Sequence, residues 1–146
     1  MKISSPAFAN NSYIPQKYTC DGQDINPSLE IKEVPEEAVS LVLIVDDPDV
    51  ARGTFLHWLV FNIEPTVSLI KENEAPKGGI QGLNDFGKEN YGGPCPPSGT
   101  HRYFFKVYAL DKNLDLEAGS DLKKVDKEMK DHILGEAQLI GLYQRK

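Results

Sequence analysis

Residues 39–49 read Val39-Ser40-Leu41-Val42-Leu43-Ile44-Val45-Asp46-Asp47-Pro48-Asp49, an apolar run that ends in carboxylates and a proline. Leu41 to Val45 is apolar at every position, so both faces of the segment need cover. That pattern suits a central strand packed on each side. Asp47-Pro48-Asp49 then sets two like charges close together, which raises their pKa values unless a neutral, cationic or proton-sharing group lies between them. A chemical partner is therefore expected nearby.

Working outward, Ser28 to Val34, Val39 to Asp46, Leu56 to Ile63, Arg102 to Leu110 and Glu136 to Tyr143 are short, rich in Val, Ile, Leu and aromatics, and bounded by proline or glycine. They read as strands. Phe104-Phe105-Lys106-Val107-Tyr108 has mixed polarity, unlike the run before Asp47, and together these segments predict a two-layer β architecture. One helix is expected, with Ser120 as N-cap, Leu122, Val125, Met129 and Ile133 on one face, and Gly135 ending it at C′. It would lie on the sheet as a lid. Lys77 to Thr100 is dense in glycine and proline, too punctuated for regular structure but suited to a long, ordered, functional loop. No repeat, heptad or linker divides the chain, so residues 1–146 read as one domain.

A chain of 146 residues that is 40% hydrophobic can bury roughly two thirds of its unfolded surface. The net charge is −6, and no basic stripe accompanies it, which argues against nucleic acid as a partner. Pro6 interrupts the N-terminus before a signal-peptide core develops, and no apolar run approaches the roughly 20 residues of a membrane span. A soluble, cytoplasmic protein is expected. In that reducing setting Cys20 and Cys95 are expected as free thiols. Neither belongs to a CxxC or a zinc-knuckle spacing.

Alternation along a strand puts His101 and Tyr103 on one face roughly 6.6 Å apart, so both can line one pocket. The same rule sends His57 to the face opposite Trp58, leaving Trp58 for the core and His57 directed toward a sheet end. Gly92-Gly93-Pro94-Cys95-Pro96-Pro97 adds backbone donors: glycines let N–H groups turn inward and prolines, which have none, fix the path. Such turns form small nests for anions.

The succession of Tyr18-Thr19-Cys20-Asp21-Gly22, Asn26-Pro27-Ser28-Leu29, Asp47-Pro48-Asp49, His57-Trp58-Leu59-Val60-Phe61-Asn62-Ile63, Asn84-Asp85-Phe86-Gly87, the Gly92–Pro97 loop and His101-Arg102-Tyr103 resembles the phosphatidylethanolamine-binding proteins, in particular the bacterial and archaeal Raf-kinase-inhibitor-like branch. The resemblance runs nearly end to end. It implies a mainly β fold of two antiparallel sheets with one helix near the C-terminus. It also implies a non-enzymatic binding protein whose small cavity holds phosphate-like anions or phospholipid headgroups, with no cofactor or metal. Carried over by position, Asp47 and His57 would contact the anion and Asp49 would support the site. Gly93 and Cys95 would present backbone donors, Pro96 and Pro97 would shape the rim, and His101 and Tyr103 would close the wall. The chain departs from eukaryotic members in the Val50-Ala51-Arg52-Gly53 that follows Asp49, in the thiol of Cys95 within the loop, and in an expected absence of the C-terminal helix. Kinase inhibition is not carried over.

Residue chemistry also permits other readings. Asp47, Asp49, His57 and His101 together would make a metal site for a hydrolase. A hydrolase built on Ser98 or Cys95 with His101 is weaker, because no Gly-x-Ser-x-Gly elbow is present and Cys95 sits between prolines. A third reading is an interaction module that recognises one phosphate on a partner protein, and a homodimer is expected. Because a carboxylate facing phosphate needs a shared proton, anion affinity should tighten as pH falls toward about 6, where histidine charges.

Overall fold

The computed structural model describes residues 1–145. In chain order the elements are β1 (Lys2–Ser4), β2 (Ser12–Tyr13), a 3₁₀ turn (Gln16–Tyr18), β3 (Leu29–Lys32), β4 (Ser40–Asp47), β5 (Phe55–Ile63), β6 (Leu69–Ile70), β7 (Ile80–Gln81), β8 (His101–Leu110), α1 (Leu122–Met129) and β9 (Ile133–Tyr143). The five expected strands are all present. β1, β2, β6 and β7 have two or three residues each, too few for any periodicity to mark them.

Six strands form one sheet in the order β2-β9-β8-β4-β5-β7, and β1-β3-β6 form a second. Pairing is antiparallel apart from two-residue β2, which runs parallel to β9. β4 sits between β8 and β5, and each of its residues is buried. Its side chains alternate as the sequence predicts. Leu41, Leu43 and Val45 face the core between the two sheets, with Ile3, Leu29, Ile31 and Ile70 opposite. Val42 and Ile44 face the other way, into a cluster closed by Leu114 and by Val125 and Met129 of α1. The large sheet is thus the middle of three layers, covered by the small sheet on one face and the helix on the other.

The helix is shorter than expected. Asp121 caps it in place of Ser120, its carboxylate accepting from Lys124 N–H at 3.0 Å, while the Ser120 hydroxyl donates to Glu117 O. At the other end Asp131 adopts a left-handed φ of 67°, and His132 N–H closes a turn onto Met129 O. The chain reverses there. Ile133 and Gly135 therefore begin β9 instead of ending the helix.

One irregularity positions the site. Between β4 and β5 the register runs Val45↔Trp58 and then Asp46↔Leu56, leaving His57 without a partner. The extra residue is a β-bulge, a device that re-aims a side chain. Alternation alone would have sent His57 away from Trp58. The bulge instead brings both to the inner face, Trp58 into the inter-sheet core and His57 beside Tyr103 at 5.2 Å between ring centres.

The expectation of free thiols is corrected. Cys20 and Cys95 form a disulfide with Cα atoms 5.5 Å apart, so no free cysteine is present among the described residues. Reasoning from compartment had no means of seeing that the two segments meet, which they do through Cys20 N–H donating to Pro94 O at 3.1 Å.

Candidate functional site

Asp47 ends β4, His57 stands at the bulge of β5, and His101 and Tyr103 begin β8, so neighbouring strand ends converge on the inner face of the large sheet. They surround a cavity of about 310 Å³ lined by Asp47, Val50, Phe55, His57, Phe86, Cys95, Pro96, Pro97, His101 and Tyr103. Asp49 and Gly93 stand outside this lining.

Asp47 is buried, and both its oxygens are engaged: Asp49 N–H donates to Oδ1 at 2.7 Å and His101 Nδ1 lies 2.6 Å from Oδ2. A carboxylate acceptor there places the His101 proton on Nδ1 and leaves Nε2 as the ring's available nitrogen. The acid therefore works through the imidazole that it orients.

His57 has a parallel arrangement with a neutral partner. Its Nδ1 donates to Gly92 O at 2.8 Å, and its ring meets Phe55, Phe86 and Tyr103 edge-on at 5.0, 5.3 and 5.2 Å. Burial pushes its pKa below the ordinary 6.5, a shift that the Gly92 carbonyl and the Asp47 charge only partly oppose. At neutral pH it is an uncharged ring with a lone pair on Nε2.

Tyr103 is 1% exposed, and its hydroxyl, with the Cys95 amide and the Asp47 carboxylate as polar neighbours, makes no hydrogen bond of good geometry among the described residues. Burial, then the Asp47 charge, drives its pKa upward, against which the Cys95 amide acts. The group remains a phenol, hence a donor. Among the described residues no lysine or arginine lines the cavity.

Asp49 turns outward. Its carboxylate accepts from Arg102 N, Nε and Nη2 at 2.9, 2.9 and 2.8 Å, a forked pairing that ties the β4–β5 loop to β8. The Arg102 hydrogen bonds push the Asp49 pKa down to about 2. Gly93 likewise supports from behind: its N–H donates to Asp24 Oδ1 at 2.7 Å, so that donor is spent within the protein. A Cβ at 93 would collide with Tyr18 O and Asp24 Oδ1, which is why glycine is needed there.

Sequence reasoning missed the apolar members Val50, Phe55 and Phe86, and also Asn84, which organises the loop bearing Phe86. Asn84 Oδ1 accepts from Phe86 N–H and Lys88 N–H at 2.9 and 3.0 Å, and its amide donates to Asn90 O at 2.7 Å. The Asn84-Asp85-Phe86-Gly87 segment was the signal available for it. The four donors of the metal reading do not converge. Asp47 and Asp49 are committed to His101 and Arg102, and among the described residues no group of three or more His, Cys, Asp or Glu is placed to hold a metal ion.

The profile of the phosphatidylethanolamine-binding protein family matches residues 4–144. The chain belongs to that family. Relatives of this family member include a UPF0098 protein of Methanothermobacter thermautotrophicus, 50% identical over 99% of each chain. Another, from Aquifex aeolicus, is 48% identical over 99% of this chain and 89% of its own. A Chlamydia trachomatis structure described as a putative phosphatidylethanolamine-binding protein homolog superposes with a TM-score of 0.95 at 42% identity, over 99% of this chain and 97% of that one. Escherichia coli YbcL, described as a new member of the mammalian family, gives 0.92 at 29% identity over 99% and 98%. No helix among the described residues is long and apolar enough to cross a membrane.

Proposed function

We propose that this family member is a non-enzymatic binding protein whose cavity takes a phosphate-like group carrying a single negative charge. The observation that supports this most is the buried, unpartnered hydroxyl of Tyr103 in the cavity wall. An unsatisfied buried donor costs roughly 1–3 kcal/mol, and an acceptor on a bound ligand removes that cost. With His57 neutral, the wall offers the Tyr103 phenol as a donor and His57 Nε2 as an acceptor. A protonated phosphate monoester meets that set with its own O–H, whereas a dianion meets one donor and the Asp47 charge. Charging His57 converts that acceptor to a donor, so affinity rises on acidification.

The rim bears on the rest of the ligand. Phe86 is 43% exposed at the mouth, with Phe55 and Val50 half-buried beside it, and such an apolar border favours a phosphate attached to a lipid headgroup or a peptide over the free ion. The disulfide, a bond typical of oxidising compartments, weighs against the cytoplasmic expectation.

The test is isothermal titration of inorganic phosphate, phosphoethanolamine, a phosphoserine peptide and divalent metals into wild type and the Tyr103→Phe, Asp47→Asn and His57→Ala variants. Tyr103→Phe should weaken the phosphate ligands about tenfold, the loss of one hydrogen bond to a charged group. Heat from a metal with none from any phosphate compound would overturn the reading.

A further inference from the structure

We propose that Cys95 is a thiol-exchange site served by the cavity: a small thiol entering the pocket attacks Cys95 Sγ, displaces Cys20 and remains as a mixed disulfide. The exchange does not rest on the anion-binding reading.

Of the two bonded cysteines, both half-buried, only Cys95 belongs to the cavity wall; Cys20 follows the 3₁₀ turn outside it. A thiolate attacks a disulfide along the S–S axis, from the side away from the sulfur that leaves, and forms a mixed disulfide with the sulfur it meets. A thiol that arrives through the cavity meets Cys95 and expels Cys20.

The loop does not need the bond to keep its place. Cys20 N–H donates to Pro94 O at 3.1 Å and Gly92 N–H to His57 O at 3.0 Å. Gly93 N–H donates to Asp24 Oδ1 at 2.7 Å, and the Tyr91 hydroxyl to Tyr18 O at 2.7 Å. Pro94, Pro96 and Pro97 fix φ on both sides of Cys95. Opening the bond therefore changes the chemistry of the wall and leaves its shape.

The same wall holds a base. His57 has its Nδ1 proton committed to Gly92 O, so Nε2 is free to take the proton of an entering thiol. The thiol proton passes to imidazole or water, the new S–S bond joins the entering sulfur to Cys95, and the Cys95–Cys20 bond breaks with its electron pair on Cys20, which then takes up a proton. A second equivalent of thiol releases the small disulfide and leaves both cysteines reduced, the two electrons coming from the two thiols.

The experiment treats the oxidised protein with glutathione under native conditions, quenches with an alkylating agent and maps the adducts by peptide mass spectrometry. The expected result is glutathione on the Cys95 peptide with alkylated Cys20, formed faster than global unfolding as measured by hydrogen exchange. Val50→Trp, which narrows the mouth, should slow the reaction about tenfold while leaving the site of attack unchanged. Glutathione on Cys20, reaction no faster than unfolding, or a Val50→Trp variant that reacts at the wild-type rate would each overturn the proposal. Cys20→Ser adds a second measure, since its lone Cys95 should be thiolated by glutathione disulfide in the folded state; should that variant not fold, the wild-type mapping decides alone.

Discussion

Removing the Cys20–Cys95 bond should lower stability by an amount set by the chain that it closes. The bonded residues are 75 apart in sequence, and a loop of that length removes about 4.5 kcal/mol of unfolded-state freedom at 25 °C. The folded state gives little of this back, because the hydrogen bonds of Cys20, Gly92 and Gly93 remain when the bond is opened. For a chain of this size each kcal/mol moves the thermal midpoint by roughly 2–4 °C, so the fall should be about 9–18 °C. The assay is thermal unfolding followed by circular dichroism, comparing wild type with and without a phosphine reductant and the Cys20→Ser/Cys95→Ser double variant, with thiol titration confirming the redox state. The reduced protein and the double variant should agree. A fully reduced sample whose midpoint fell by less than about 3 °C would refute the reasoning, since the bond would then constrain an unfolded chain already held together otherwise.

Tyr103→Phe should stabilise the unliganded protein by about 1 kcal/mol, as a buried unpartnered hydroxyl is removed; a chemical denaturation midpoint that falls instead would show that the hydroxyl has a partner. Asp49, held at a pKa of about 2 by Arg102, contributes stability that is present above its ordinary 3.8 and lost as pH falls from there toward 2. Allowing for solvent screening this amounts to about 1 kcal/mol, and Asp49→Asn should flatten that part of the acid unfolding curve. His57 is neutral in the fold, with its pKa lowered by burial, so the unfolded chain binds its proton first and stability should decline as pH falls below about 6.5. His57→Gln should remove that slope, and an unchanged slope in urea titrations at a series of pH values would count against the assignment. Gly93→Ala, which sets a methyl against Tyr18 O and Asp24 Oδ1, should cost about 1–3 kcal/mol by overpacking, read as a drop in urea midpoint.

The long strands were legible because burial writes itself into residue order: β4 is apolar at consecutive positions and is covered on both faces, and β8 alternates His101, Tyr103, Phe105 and Val107 inward. Alternation also placed His101 and Tyr103 together correctly. It failed at His57, because a bulge is a property of the pairing between β4 and β5 and leaves no trace in either strand alone. The helix end was missed for a similar reason. Ile133 continues the helical spacing, but Asp131 adopts a backbone conformation that reverses the chain first. Asp49 and Gly93 were expected near the ligand and are instead occupied by Arg102 and Asp24, partners far away in sequence. Val50, Phe55 and Phe86 were overlooked because apolar residues carry no chemical flag, although they make much of the cavity surface.

The unpaired His57 changes the parity of β5 where the strand meets the cavity. Deleting Leu56 would restore alternation between Trp58 and Phe55 and turn His57 from the inner face to the outer one. The imidazole would then stand where the leucine stood in the helix layer, and the cavity would lose its ring nitrogen. A protein so shortened has the same strands available in the same order but lacks the His57 side of the cavity.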